Sequence, residues 1–233
     1  MSAASSEKSP SIFGVYFFAV LIALFGGLLG FFYMTTFEAQ AFSSQAAHAA
    51  FVESLEEPIA SVKPGDAYYI EGAVLPTRSW EAKRAQLAAP GAQSLAFSTG
   101  EINAWMSAKF RPGGAAPGGE GEGSILIVPG VPNVAIGDQG VFYLNLPAKI
   151  SAYGSTNDFI VSARCSVSAD GLQFQSVNVS SAKVPLPNLL GAKILEVLSQ
   201  GYQATEEYKI IADAFARADS IVAEGNSLAV QLR

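Results

Sequence analysis

Hydrophobic and polar positions divide this chain near Glu38. From residue 12 to residue 37 the run IFGVYFFAVLIALFGGLLGFFYMTTF carries no charge. At ~1.5 Å rise per residue, about 26 helical residues reach about 39 Å, more than the ~30 Å hydrocarbon core of a bilayer. A backbone in lipid must pair its own N–H and C=O groups, so the run predicts a transmembrane helix over 12–37. Residues 38–57 are rich in alanine and free of Gly and Pro until Pro58. They predict a helical stalk that carries the membrane helix outward, with Phe42, Ala46, Ala49, Ala50 and Phe51 as a narrow apolar stripe.

Residues 58–233 show mixed periods and predict one extracytoplasmic α+β domain. Tyr68 and Tyr69 sit in an expected strand over 67–74, and Ser79 is placed to cap a helix over 80–87 that Pro90-Gly91 closes. A short strand is expected over 94–97. Ser98-Thr99-Gly100-Glu101 reads as a capping box, and Ile102, Trp105, Met106 and Lys109 follow at helical spacing, with Trp105 as a core anchor. The tract RPGGAAPGGEGEG at 111–123 predicts a flexible Gly/Pro loop.

From Ser124 the period is two. Strands are expected over 125–128 and 134–136, then in the alternation of Phe142, Leu144, Leu146, Ala148 and Ile150. A turn over 155–157 and a strand through Phe159, Val161, Ala163, Cys165 and Val167 come next. Asp170-Gly171 marks a hairpin. The apolar register then slips from Leu172 and Phe174 to Val177 and Val179, which predicts a bulge near Gln175 or Ser176. Pro185-Leu186-Pro187 opens a helix whose apolar stripe is Leu190, Ile194, Val197 and Leu198, widened by Leu189 and Leu195. Thr205 caps another helix, with Tyr208, Ile211, Ala212 and Phe215 as its buried face, and a hairpin around Gly225-Asn226 ends the chain. The fold class expected is therefore α+β, an antiparallel β-meander packed on amphipathic helices behind a membrane helix and stalk.

Charge sets the topology. Residues 1–11 form a cytoplasmic tail with Lys8 and the amino group against Glu7, while Glu38, Glu53, Glu56 and Glu57 follow the span before Lys63. The positive-inside rule puts the N-terminus in the cytoplasm and the rest outside, on a single-pass protein of the inner (cytoplasmic) membrane with a periplasmic domain. The alternative is a cleaved signal peptide, because Ala39-Gln40-Ala41 fits a small-x-small site, but signal h-regions are shorter than this run. Ala19, Ala23 and Gly27 lie four apart, as do Gly26 and Gly30, and form a candidate helix–helix contact with another membrane protein or a second copy.

Chemistry is sparse. The net charge is −6 with scattered Lys and Arg, which argues against nucleic acid as a partner. Cys165 is the only cysteine and His48 the only histidine, so neither a disulfide within the chain nor a Cys/His metal site is expected, and a nucleophile would lack its base. We expect no metal, no cofactor and no enzymatic activity. Cys165 reads as a buried inert thiol and His48 as a solvated or lightly packed ring.

Glu101 and Asn103 at the start of the capped helix, followed by strands and then Pro185 to Pro187 before a helix, resemble the YpmS-like anchored extracytoplasmic bacterial proteins and, more loosely, the YceB-like ones. The likeness covers about 94–233; the stalk, the Gly/Pro loop and the 67–87 segment lie outside it. Some such proteins are similar to one half of the tubular lipid-binding (TULIP) modules, in which a bent sheet wraps a helix. The resemblance implies a lipid or acyl ligand and a role in envelope maintenance. The candidate groove would be lined by Phe142, Leu144, Phe159, Val161, Phe174, Leu190 and Ile194; the competing reading is that these residues fill the core. The alternative function is a non-enzymatic accessory subunit of a membrane complex.

Overall fold

The computed structural model describes residues 12–54, 68–110, 126–152 and 155–233. The tail at 1–11, the last residues expected in the stalk and the Gly/Pro loop lie outside the described residues. Helix α1 (Ile12–Thr35) has a mean hydropathy of 2.5 in its most apolar window and is long and apolar enough to cross a membrane. Thr35 and Thr36 end it by turning their hydroxyls back onto the carbonyls of Phe32 and Tyr33, each at 2.7 Å.

The helix does not run on into a continuous stalk. The chain turns into strand β1 (Gln40–Phe42), which pairs in parallel with β2 (Tyr68–Ile70). Helix resumes only as α2 (Gln45–Glu53), where Ser44 Oγ accepts the Ala47 N–H at 3.0 Å. Two causes override alanine propensity: Ser44 offers a cap in the middle of the run, and Phe42 leaves it to join an aromatic group. His48 stacks on Tyr68 with ring centroids 3.5 Å apart, and Phe42 meets both His48 and Phe51. Partial burial lowers the His48 pKa.

Helix α3 (Ser79–Ala88), strand β3 (Gln93–Ser98) and helix α4 (Thr99–Lys109) follow. Arg78, not Ser79, is the N-cap of α3, because the Ser79 hydroxyl is used elsewhere, donating to Glu101 Oε1 at 2.6 Å. The capping box at α4 forms: Ser98 Oγ accepts the Glu101 N–H at 3.2 Å, and the Ser98 N–H donates to Glu101 Oε2 at 2.9 Å.

A six-stranded sheet is built from β4 (Leu126–Pro129), β5 (Asn133–Ile136), β6 (Phe142–Ala152), β7 (Ser155–Ser168), β8 (Gly171–Val179) and β9 (Ala182–Lys183), with β4 and β5 end to end along one edge of β6. Ser155 to Asn157 belong to β7, paired with Ala152 to Ile150, so the turn expected there is absent. The β7–β8 loop is Ala169-Asp170, and Gly171 opens β8 at φ 111°, a left-handed value that glycine tolerates without cost. The register slip occurs where expected. Arg164 opposes Ser176 while Cys165 opposes Phe174, so Gln175 is the extra residue of a bulge.

After β9 a five-residue π-helical turn (Pro187–Gly191) leads into α5 (Ala192–Gln200), then α6 (Glu206–Arg217). The final hairpin, β10 (Ala218–Glu224) and β11 (Ser227–Leu232), adds β3 to its outer edge as a second, three-stranded sheet.

The core has two adjoining parts on one face of the large sheet. The first joins Trp80, Phe97, Ile102 and Trp105 to Phe142, Cys165, Ile221 and Leu232. The second joins Leu146, Val161, Ala163 and Val177 to Val184, Leu195 and Leu198. Leu144 and Phe174 touch both. The other face of the sheet is covered at Tyr143 by Ile70, Phe42 and Tyr68.

Candidate membrane-facing site

Several buried polar side chains hold the fold, while Asn145 Oδ1, Ser162 Oγ and Arg164 Nε are buried without a hydrogen-bond partner among the described residues. Glu101 accepts from Lys83 Nζ at 2.6 Å, from Ser79 and from the Ser98 backbone. Burial alone would raise its pKa; the Lys83, Ser79 and Ser98 hydrogen bonds outweigh that and bring it down to about 2. Glu207 is buried on α6, where it accepts both Arg84 Nε and NH2 at 2.7 Å and the Trp105 indole N–H at 2.7 Å. Here too burial pushes the pKa up and the Arg84 and Trp105 hydrogen bonds lower it below the ordinary value. On α6 the expected Ile211 and Phe215 pack against the core. The buried line of α6 runs through Glu207 and Ala214, and Ala212, expected inside, is exposed.

Three asparagines each grip the backbone of one distant residue by both N–H and C=O. Asn103 does so at Val134 (2.8 Å for both bonds), Asn133 at Gly72 (2.9 and 2.8 Å) and Asn188 at Phe174 (2.9 and 3.1 Å). These amides act as detached pieces of β-ladder, which is why Asn103 lies wholly inside. An added Cβ at Gly72 would stand 1.9 Å from the Val134 carbonyl oxygen, so only glycine fits beneath this contact.

Cys165 is 0% exposed, and burial pushes its thiol up to about 12. Its Sγ donates to the Phe142 carbonyl at 3.4 Å. Among the described residues no three His, Cys, Asp or Glu side chains converge as a metal site would need.

A cleft of about 270 Å³ opens between the first turns of α2 and α4, lined by Ser44, Gln45, Gly72, Leu75, Gly100 and Asn226 among others. Its polar edges are already engaged: the Gly72 N–H meets Asn133, and the Thr99 N–H donates to Asn226 O at 3.0 Å. None of the seven residues expected to line an apolar groove reaches it.

Those seven divide differently. Phe142 and Val161 are buried in the core, and Leu144, Phe174 and Ile194 pack against it. Phe159 is half-buried. Leu190 is not inside at all; it is 46% exposed. Of the wider stripe expected on this helix, Leu195 and Leu198 are buried, whereas Leu189 and Val197 join Leu190 in solvent. The π turn is the reason. Its wider winding, entered through Leu186 at φ 50°, shifts the face that an uninterrupted α-helix would present, and seats Gly191 against Val177 instead.

Strand β9 packs against α1. Phe31 of α1 touches the second core cluster, and Thr35 is buried. Ser181 donates its N–H to Phe37 O and its Oγ to Glu38 O, each at 3.3 Å. Helix α1 and the domain are thus in direct contact, without an intervening stalk. Ala19, Ala23, Gly26, Gly27 and Gly30 all lie on exposed α1 surface, and nothing stands within 4 Å of where a side chain on any of the three glycines would begin.

No family model, curated protein or solved structure matches the chain.

Proposed function

We propose that this is a single-pass protein of the inner membrane, N-terminus cytoplasmic, whose periplasmic α+β domain engages lipid or another apolar ligand at the bilayer surface in envelope maintenance, without catalysis. The observation that carries the reading is the docking of α1 on the domain core through Phe31, Thr35 and the two Ser181 hydrogen bonds. Strand β1 supports retention of the helix, since cleavage after Ala41 would remove two of its three residues. The acid and amide shared with the YpmS-like proteins, Glu101 and Asn103, both hold α4 in place, so that likeness concerns the fold of the domain. Alkaline carbonate washing of membranes, with lipid extraction and mass spectrometry of the purified full chain, tests the proposal. Retention in the pellet with co-purifying lipid is expected; a chain that washes free and begins near Phe42 would overturn it.

A second reading, an accessory subunit of a membrane complex, draws on the uncovered Gly26, Gly27 and Gly30 ridge. Gly27→Leu is expected to abolish co-purification of a partner in mild detergent under that reading and to leave lipid content unchanged.

A further inference from the structure

We propose that the strip formed by Leu186, Leu189, Leu190 and Val197 is seated in the same bilayer that α1 crosses, in the leaflet at the C-terminal end of that helix. This rests on the reading of α1 as a membrane anchor and adds a second, separate point of membrane contact. Three observations carry it.

The first is exposure. Leu186, which caps the π turn, is 63% exposed, Leu189 and Leu190 within it 66% and 46%, and Val197 on α5 41%, although the same stretch buries Gly191, Leu195 and Leu198. Single exposed leucines are ordinary in water, but four large exposed apolar groups within the one stretch 186–197 are not.

The second is depth. A span that starts at Ile12 uses up ~30 Å of hydrocarbon in about twenty residues at ~1.5 Å each, and so reaches the boundary close to Phe31. Phe31 is the α1 residue that touches the second core cluster, and Val184 belongs to that cluster. Leu186 follows Val184 by two residues, within about 7 Å of extended chain. The strip therefore begins at the level where α1 leaves the hydrocarbon.

The third is charge. In a chain of net charge −6, the stretch 182–200 holds two lysines, Lys183 and Lys193, and one carboxylate, Glu196. Glu196 is held by Lys193 at 2.9 Å. No unpaired carboxylate on this element resists the headgroup layer, and both lysine stems are able to lie along it with their ammonium groups in water.

The test uses the full chain in phosphatidylcholine nanodiscs, with an environment-sensitive thiol dye at Leu189→Cys. Buried Cys165 stays unreacted under native conditions. Control positions are Leu21→Cys in α1 and the exposed Ala85→Cys on α3. With lipids brominated near the headgroup, the dye at position 189 is expected to shift to the blue and lose about half its emission, as suits a face seated about 5–10 Å into the headgroup–acyl boundary. The dye at 21 is expected to be quenched by deeply brominated lipid, and the dye at 85 by neither. Quenching at 21 with none at 189 would overturn the inference and leave the anchor intact, including the case in which the dye at 189 turns blue without quenching because a protein covers it. Absence of quenching at both 21 and 189 would remove the anchor reading itself.

Discussion

Helices α4 and α5 treat their side chains in opposite ways. Seven of the eleven residues of α4 are buried, among them the polar Thr99, Glu101 and Asn103, and each of these three has a named partner. In α5 and the π turn before it, Leu189, Leu190 and Val197 are left in solvent alongside the exposed Lys193–Glu196 ion pair. Burying polar groups is costly unless every one is paired, so the α4 region represents stability spent on a unique arrangement. Exposing apolar groups costs little in the folded monomer but leaves a surface that something else covers. Helix α4 is therefore the frame, and α5 carries the surface open to a partner.

The comparison breaks most readily at Glu207. Glu207→Ala strips Arg84 and the Trp105 indole of their acceptor, and removing one member of a buried ion pair costs about 3–5 kcal/mol. Urea unfolding of the detergent-solubilised chain, followed by tryptophan emission, reads this; a loss below ~1 kcal/mol would mean that the network is idle. Asn103→Ala leaves the Val134 N–H and C=O without partners, at about 1–3 kcal/mol for each group that stays dry. On the α5 side, Gly191→Ala would put a Cβ 2.6 Å from Val177 Cγ2, an overpacking expected to cost about 1–3 kcal/mol and to loosen the π turn from β8.

Acid sharpens the same contrast. The folded pKa of Glu101 is depressed from 4.5 to about 2, so its stabilising contribution is complete above pH 4.5 and is lost as the pH falls from 4.5 towards 2. Unfolding midpoints measured down this range are expected to fall in the parent and to fall less steeply in Glu101→Gln. The smallest expected effect is on the strip: Leu189→Ser changes stability by no more than ~0.5 kcal/mol in detergent, because the side chain is 66% exposed. A much larger loss there would place Leu189 in the frame and not on the working surface.

The elements that the sequence made legible were those specified by neighbours along the chain. The capping box at Ser98 and Glu101, the two-residue period of β6 and β7 and the slip at Gln175 are local patterns, and the structure holds them. Three features were hidden because their causes are distant. The stalk is broken by Phe42 reaching Tyr68, and the burial of Glu207 on α6 is set by Arg84 and Trp105, more than a hundred residues away. The exposed strip depends on a π turn that leaves no periodic signature; only Pro187 and the nearby Gly191 mark it, and both suit an ordinary helix start as well.

Neutron reflectometry of the full chain in a supported bilayer tests directly whether the domain rests on the membrane. Docking through Phe31, Thr35 and Ser181 predicts protein density continuous with the headgroup layer. A water-rich layer between headgroups and domain, approaching the ~30 Å that a twenty-residue helical stalk would span, would contradict it.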